Sequence, residues 1–298
     1  MTPPNILWLD TATDLYEVTR AVEAGKKLGL QVDAIDPHDV HFAADSKQIG
    51  AFIQGKNLVD AYDVLVVRAF IPMISESLTL ARLFKEAGKI VIDDSLTTEG
   101  YAMSKLHDYV VLAKHGIAVP HTHQFSDAND LVKAADRLGY PCVIKGGHGS
   151  YGRHVHKATS AADLRRKLMK YKPGEVMVQE YLDAEVDYRV VVIGYKALPV
   201  YVSRQPQSGD FRTNFEHNEI VLAKPMMDAA HLQDIAERAA RALKREFSGV
   251  DIRCRGKTPL VLEANRRPGY KDFERITGFD VAGTFLEYVV EKYHNRYA

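Results

Sequence analysis

The chain of 298 residues carries no excess of either charge and has few cysteines. Lysine plus arginine and aspartate plus glutamate both number 39, so the formal net charge is zero. This balance gives no general attraction to nucleic acid or to membrane surfaces, and we expect neither as a partner. Cys142 and Cys254 lie far apart and lack the spacing of a zinc site or a disulfide framework. We expect both to be reduced, buried side chains.

Long apolar runs and a targeting pattern are also absent. The stretch 1–5 has neither the basic nor the apolar region of a signal peptide. No apolar run approaches the ~20 residues that cross a membrane. We therefore expect a cytoplasmic, soluble protein, and the chain length predicts two or three domains.

Two familiar nucleotide motifs are missing. The first apolar run, residues 5–10, is not followed by Gly-x-Gly-x-x-Gly, which argues against a dinucleotide-binding domain. The glycine-rich loop after Lys145 is not followed by Gly-Lys-Ser or Gly-Lys-Thr, which argues against a P-loop. Any nucleotide site must therefore be built differently.

Apolar periodicity predicts an α/β fold of the α+β kind. Strands and helices alternate in the first hundred residues, which predicts a parallel sheet with helices on both faces. The predicted strands there are 5–10, 31–36, 63–70 and 90–93, and the helices are 11–30 and 75–88. Beyond residue 100, the helices are 100–116, one opened by Ser126-Asp127, 159–170, 227–246 and 282–293, with strands at 141–145, 175–182, 188–193 and 198–203.

Oxygen-bearing side chains near the C-terminus predict a metal site. Glu263 and Asn265 are two residues apart on one predicted strand, so their side chains share a face. A hairpin through residues 255–257 would place the strand that carries Asp251 beside them. Two carboxylates and an amide oxygen suit Mg²⁺, which fills its other positions with phosphate and water. The alternative is a polar sheet face capped by a turn at 268–269.

The loop 146–153 has four glycines within its first seven positions, which favours close contact with phosphate. Gly149 and Gly152 are candidate contacts, and Lys145 leads into the loop. Lys105, on a predicted helix, is a second candidate for pairing with phosphate. The alternatives are a flexible hairpin for the loop and a surface position for Lys105.

Further polar groups lie at strand ends. Gln179, Glu180 and Tyr181 end a predicted strand where backbone groups and a ring could hold adenine. Asp187 could accept ribose hydroxyls, or it could form a cross-strand ion pair. Arg204 is a candidate for stabilising a phosphoryl group in transfer.

The segment 209–214, Gly-Asp-Phe-Arg-Thr-Asn, follows the predicted strand 198–203 and supplies a second candidate arginine, Arg212. Thr213 and Asn214 complete this segment.

Six segments occur along the chain in this order: the glycine-rich lysine loop, Gln-Glu-Tyr, Asp-Tyr-Arg-Val-Val-Val-Ile-Gly, Gly-Asp-Phe-Arg-Thr-Asn, Val-Asp-Ile and Glu-Ala-Asn-Arg-Arg-Pro-Gly. This order resembles the ATP-grasp superfamily and, within it, the RimK-type amino-acid ligases, over about residues 95–290.

The resemblance implies a Rossmann-like N-terminal α/β domain at 1–98 and two α+β subdomains that clasp ATP, at 99–185 and 186–298. The roles that it implies are magnesium ligands at Asp251, Glu263 and Asn265, ATP contacts at Lys105, Lys145, Glu180, Tyr181 and Asp187, and contacts with the phosphates and acyl-phosphate at Arg212, Thr213 and Asn214. ATP with Mg²⁺, or Mn²⁺ in its place, is the implied cofactor, and two ions are expected.

The implied activity is ATP-dependent joining of a carboxylate to an amine through an acyl-phosphate, adding an amino acid such as glutamate to an acceptor. The acceptor could be a small molecule, a peptide or a protein tail, and a homo-oligomer is expected. The alternatives are a ligase of small substrates, like glutathione synthetase or D-alanine–D-alanine ligase, and a non-catalytic nucleotide-binding module.

Two departures from the family fall where substrates should bind. Arg266 and Arg267 occupy positions where the family often has small residues such as serine. After Asn214, residues 215–219 are not basic and glycine-rich as the family usually is. One of the two arginines could hold a second carboxylate of an acidic substrate, or both could be solvated turn residues.

Overall fold

The structure is a computed structural model that describes residues 2–44, 49–98, 104–146, 155–172, 174–183, 186–206, 218–221 and 229–297. Several predicted site residues lie outside these ranges. They are Gly149 and Gly152 of the glycine-rich loop, and Arg212, Thr213 and Asn214. The roles expected of these five residues stay predictions.

The N-terminal part contains a four-stranded parallel sheet in the order β2-β1-β6-β7. Its strands are β1 (Asn5–Leu9), β2 (Gln31–Ile35), β6 (Val64–Val67) and β7 (Ile90–Ile92). The helices between them are α1 (Tyr16–Lys27), α2 (Leu58–Ala61) and α3 (Ile74–Glu86). All four residues of β6 are buried, as expected for a strand that helices cover on both faces.

A small antiparallel sheet, in the order β3-β4-β5, follows β2 and was not predicted. Its strands are β3 (His41–Ala44), β4 (Ile49–Ile53) and β5 (Lys56–Asn57). Helix α1 also begins later than predicted, because Asp10 first accepts a hydrogen bond from the Ala12 amide (2.9 Å) and starts a turn.

The central part is a second four-stranded sheet, in the order β10-β9-β11-β8, covered by helices. Its elements are α4 (Lys105–Lys114), β8 (Thr122–His123), α5 (Ala128–Leu138), β9 (Cys142–Gly146), β10 (Val155–Ala158), α6 (Ala161–Leu168) and β11 (Val176–Glu180). Asp127 caps α5 by accepting hydrogen bonds from the amides of Asn129 and Asp130, which confirms the predicted helix start.

The C-terminal part is a five-stranded antiparallel sheet in the order β14-β13-β12-β15-β16. Its elements are β12 (Asp187–Ile193), β13 (Lys196–Pro206), β14 (Asn218–Val221), α7 (Ala229–Ala242), β15 (Phe247–Arg255), β16 (Thr258–Asn265), α8 (Lys271–Thr277) and α9 (Val281–His294). The predicted hairpin is confirmed, because β15 ends at Arg255 and β16 begins at Thr258. Helix α8 was not predicted.

One apolar core joins the first and last parts of the chain. The rings of Trp8 on β1 and Phe285 on α9 form a T-shaped pair, and Phe247 of β15 stacks on the same Phe285 with ring centroids 4.5 Å apart. All three side chains are buried. The C-terminal helices therefore cover one face of the N-terminal sheet. Within the described ranges, no helix is long and apolar enough to cross a membrane.

Candidate active site

The three predicted metal ligands lie together at the edge of the C-terminal sheet. Asp251 of β15 stands directly opposite Glu263 of β16, and Gly249 stands opposite Asn265. Directly opposed residues share a face of the sheet, and Glu263 and Asn265 share a face because they are two residues apart. The Asn265 amide nitrogen donates to Asp251 Oδ2 at 3.3 Å, so these two side chains are in contact.

Two arginines hold the Asp251 carboxylate. Arg189 donates from Nε to Oδ1 at 2.7 Å and from Nη2 to Oδ2 at 2.8 Å. Arg204 Nη2 lies 2.7 Å from Oδ1 of the same carboxylate. Burial alone would raise the pKa of Asp251, but the positive charges of Arg189 and Arg204 lower it to about 2. Asp251 is therefore ionised at neutral pH although it is buried.

Two lysines lie beside Glu263. Lys105 of α4 forms an ion pair with Glu263. Lys145 of β9 is buried and donates to the Tyr109 hydroxyl (2.7 Å) and to the Leu262 carbonyl (3.1 Å). Burial opposes the charge of Glu263, but the two lysines lower its pKa below the ordinary value. Burial also opposes the charge of Lys145, yet neighbouring Tyr109 and Glu263 raise the pKa of the lysine.

Tyr109 is a member of this site that the sequence interpretation missed. It lies on α4 one turn after Lys105, and its hydroxyl donates to the Leu262 carbonyl at 2.8 Å. The spacing of four residues that places Lys105 and Tyr109 on one helix face is the signal that could have identified it. Helix α4 thus carries two residues that contact β16.

The strand end predicted to hold adenine is tied to its neighbours. The Gln179 side chain donates to Thr122 Oγ1 at 2.8 Å. The Glu180 carboxylate accepts from the His121 amide at 2.8 Å and pairs with Arg255. The Tyr181 ring lies 4.0 Å from the Lys157 ammonium. These contacts fix β11 at the border between the central and C-terminal sheets, and the adenine role stays a prediction.

Asp187 forms a buried ion pair with Arg253, which stands opposite it on β15. Arg253 also donates to the Leu182 carbonyl at 3.2 Å. A cross-strand ion pair was one of the two alternatives for Asp187. Its partner could not be named from sequence, because the order of strands in the sheet was unknown.

The two arginines after Asn265 do not form a solvated turn. Arg266 Nη1 donates to Asp93 Oδ2 at 2.7 Å and to Ser95 Oγ at 2.9 Å. Arg267 donates to both oxygens of Asp10, from Nη2 at 2.7 Å and from Nε at 3.0 Å. The solvated-turn alternative is therefore wrong. Because both guanidinium groups are engaged by aspartates of the N-terminal sheet, the expected capture of a substrate carboxylate loses its support as well.

The ligand set fits a magnesium ion by its chemistry. Carboxylate oxygens of Asp251 and Glu263 and the amide oxygen of Asn265 are hard donors, and adjacent cations hold the pKa of both carboxyl groups below the ordinary values. Among the residues that the structure describes, no group of three or more His, Cys, Asp or Glu side chains converges as an alternative centre.

A separate surface cavity of about 610 Å³ is lined by Lys85, Asp94, Thr97, Thr98, Tyr195, Arg241 and Lys244, none of which was predicted as a site residue.

Two family models match the chain. The RimK pre-ATP-grasp domain matches residues 5–97, and the RimK-like ATP-grasp domain matches residues 102–289. A probable alpha-L-glutamate ligase of Serratia proteamaculans is 30% identical over 289 residues, which cover 93% of each chain. The ribosomal protein bS6–L-glutamate ligase of Salmonella schwarzengrund is 29% identical over 287 residues, which cover 92% of each chain.

Solved structures show the same fold. The ATP-grasp ligase PsnB complexed with a minimal precursor superposes with a TM-score of 0.76 and 19% identity, covering 98% of this chain and all of that one. PsnB with a phosphomimetic precursor variant, Mg and ADP gives a TM-score of 0.74 and 18% identity, covering 97% and 98%. Both the N-terminal sheet and the carboxylate-bearing sheet are included in that coverage. The chain belongs to the RimK-like ATP-grasp family.

Proposed function

We propose that the chain is an ATP-dependent carboxylate–amine ligase that adds an acidic amino acid, glutamate above all, to an acceptor. The observation that carries this proposal is the arrangement around Glu263. Two carboxylates and an amide oxygen lie on one sheet face, and the ammonium group of Lys105 contacts Glu263. Metal ligands and phosphate-binding cations are thus within one site, as phosphoryl transfer requires.

Magnesium would be held by Asp251, Glu263 and Asn265, and we propose two ions, with manganese as a possible substitute. When bound, the metal neutralises the charge of the β- and γ-phosphates of ATP. Lys105 and Lys145 reach the same face from α4 and β9, so each can pair with a phosphate oxygen after exchanging its present partner. PsnB was solved with Mg and ADP, which supports the use of magnesium together with ATP.

The reaction needs positioning and charge stabilisation more than a covalent nucleophile. A substrate carboxylate attacks the γ-phosphate, ADP leaves, and the acyl-phosphate is then attacked by an amine to give an amide and phosphate. Arg204 contacts the Asp251 carboxylate, which places its guanidinium beside the proposed metal. From there it is suited to hold a phosphoryl oxygen. Arg212, Thr213, Asn214, Gly149 and Gly152 are proposed to contact the phosphates; these five residues lie outside the described ranges.

Adenine is proposed to bind at the end of β11. Glu180 and Tyr181 lie at the border of two sheets, where the backbone of the strand end can meet the adenine edge. Asp187 begins the next strand, and its side chain is 1% exposed in the pair with Arg253, so the proposed contact with the ribose requires that pair to open.

The acceptor is proposed to be a peptide or a protein tail that ends in a carboxylate. The relative in Salmonella is named for ribosomal protein bS6, and PsnB was solved with a precursor peptide. We propose domain boundaries at 98/99 and 185/186, a homo-oligomeric assembly and action in the cytoplasm, where ATP is available. Light scattering on the purified protein tests the assembly.

Release of ADP from the purified protein tests the function. Each of the common amino acids is supplied with ATP and Mg²⁺, alone and with peptides that end in glutamate, and the products are identified by mass spectrometry. We expect ADP release to require both an acid and an amine, with a mass gain of glutamate on the peptide. Nucleotide binding without ADP release under any pair would support a binding module, and products from two free amino acids would support a small-substrate ligase.

A further inference from the structure

The turn after β16 is anchored on the carboxyl edge of the N-terminal sheet. Asp10 follows β1 and Asp93 follows β7, and these two aspartates receive the guanidinium groups of Arg267 and Arg266. Arg267 approaches Asp10 with two parallel hydrogen bonds, the geometry that a guanidinium fork favours. Both aspartates are at most 1% exposed, so the pairs are buried on the acidic side.

Asp93 contacts both strands of the proposed metal site. Its Oδ1 accepts from the backbone amides of Glu246 (2.9 Å) and Phe247 (3.2 Å), at the start of β15. Its Oδ2 accepts from Arg266, which follows the last residue of β16. The buried Asp93 carboxylate therefore connects two strand ends. One is the start of β15, which leads to Asp251, and the other is the end of β16, which carries Asn265.

The other side of the turn is held against β15. A Cβ atom on Gly249 would lie 2.8 Å from Pro268 Cβ and 3.4 Å from Arg189 Cδ, so the proline ring occupies the space over this glycine. Gly249 is the residue opposite Asn265, and Arg189 is the partner of Asp251. The turn thus lies between the N-terminal sheet edge and the arginine that orients a proposed metal ligand.

We propose that Asp93, Arg266, Asp10 and Arg267 are positioning residues of the metal site, which set the relative position of Asp251 and Asn265 by fixing the ends of β15 and β16 on the N-terminal sheet. The inference rests on the proposed function, since it concerns the same metal ligands. It assigns a role to the two arginines that stand where the resembled family often has small residues.

A purely structural role would lower stability without a specific effect on metal binding. The main apolar contact between the N-terminal sheet and the C-terminal part, Trp8 with Phe285, does not involve the four charged residues. Loss of an ion pair should therefore leave the parts associated and shift the metal ligands locally. Partners that orient a metal ligand typically change metal affinity or activity by ~10–100-fold when they are replaced.

Calorimetric titration with ADP, with and without MgCl₂, tests the inference on binding rather than on turnover. Two test variants remove a guanidinium group, Arg266→Ala and Arg267→Ala, and two are conservative, Arg267→Lys and Asp93→Asn. The control is Arg275→Ala, which breaks only the exposed pair with Asp272. We expect the gain in ADP affinity from Mg²⁺ to fall ~10-fold or more in the alanine variants and in Asp93→Asn. The ADP affinity of every variant without Mg²⁺ should match that of the wild type, and Arg275→Ala should keep the full gain in ADP affinity from Mg²⁺. Arg267→Lys should show an intermediate gain, because lysine lacks the planar fork of the guanidinium group.

The outcomes separate the inference from the proposed function. Equal gains from Mg²⁺ in wild type and variants, even with lowered melting temperatures, would overturn the positioning role and leave the metal assignment intact. A wild-type protein whose ADP affinity ignores Mg²⁺ would overturn both. If an alanine variant does not fold, the conservative Asp93→Asn and Arg267→Lys variants decide the result, because Asn retains an oxygen acceptor and Lys retains the charge.

Discussion

Arg189 binds both oxygens of the Asp251 carboxylate, with Nε–Oδ1 and Nη2–Oδ2 distances of 2.7 and 2.8 Å. The two residues stand opposite each other on β12 and β15, so the pair is set by the register of the sheet. Both side chains are buried. A carboxylate in this position keeps its charge only because guanidinium groups surround it, which makes the pair a condition for the proposed metal site.

Replacement of Arg189 by alanine is expected to destabilise the protein by about 2–3 kcal/mol. Removal of one partner of a buried pair usually costs ~3–5 kcal/mol, but Asp251 retains Arg204 as a partner. Urea unfolding of the metal-free protein measures the change. A loss of less than about 0.5 kcal/mol, the range of ordinary surface substitutions, would contradict the view that this pair is buried and tight.

The stability that Asp251 contributes is expected to depend on pH. The pKa of this carboxyl is lowered to about 2 in the folded chain, mainly by Arg189 and Arg204 acting against burial, and an unfolded aspartate has a pKa near ~3.9. Its contribution is therefore full above about pH 5 and is lost as the pH falls toward 2. The shift corresponds to about 2–3 kcal/mol.

Urea unfolding of the wild type and Asp251→Asn between pH 7 and pH 3 measures this dependence. The difference between their free energies of unfolding should be constant from pH 7 to about pH 5 and should shrink below about pH 4. A difference that is unchanged down to pH 3, or that grows, would show that the carboxyl is not held in its ionised form.

Glu263→Gln is expected to abolish ligation while the fold stays intact. The amide keeps the size of the side chain but loses the negative charge that pairs with Lys105 and, as proposed, with the metal. We expect kcat to fall by at least ~100-fold, equivalent to ~2.7 kcal/mol in the activation free energy. Circular dichroism and urea unfolding serve as controls for the fold. Near-normal turnover at saturating Mg²⁺ would contradict the assignment of Glu263 as a ligand.

Asp187→Asn tests whether Asp187 contacts the ribose of ATP as well as pairing with Arg253. The wild type is expected to have a higher kcat/KM for ATP than for 2′-deoxy-ATP. In the variant the ratio of these two values should fall by about 10-fold, because a charged hydrogen-bond acceptor is replaced by a neutral one. The comparison of two nucleotides on one variant cancels the loss of stability from the broken ion pair. An unchanged preference would leave Asp187 with a structural role only.

Phe247→Ala is expected to lower the free energy of unfolding by about 3–5 kcal/mol, since a buried ring is removed from a packed core. The ring stacks on Phe285 and lies 4.5 Å below the Arg68 guanidinium. Met169→Ala is the control, because Met169 is 82% exposed and should change stability by less than about 0.5 kcal/mol. Equal midpoints for the two variants in thermal unfolding would contradict the shared core between the first and last parts of the chain.

The sequence predicted the elements whose signals are local. Apolar runs such as Val64–Val67 mark buried strands, Asp127 marks a helix start, and Gly256 allows the tight turn of the β15–β16 hairpin with a positive φ of 59°. From the hairpin followed the shared face of Asp251, Glu263 and Asn265, because the turn fixes which residues are opposite. The order of short motifs, by its resemblance to the ATP-grasp ligases, predicted the fold and the family that the comparisons bear out.

Contacts between distant segments were decided only by the tertiary structure. Strand order placed Arg253 beside Asp187 and Arg189 beside Asp251, and no local pattern specifies which strands become neighbours. The packing of the C-terminal helices on the N-terminal sheet brought Arg266 and Arg267 to Asp93 and Asp10, more than 170 residues away along the chain. A guanidinium group beside Asn265 can bind a carboxylate of a substrate or a carboxylate of the protein itself, because its chemistry is the same in both cases. Which of the two it binds depends on where the protein's own carboxylates lie, and burial of the apolar core sets their position.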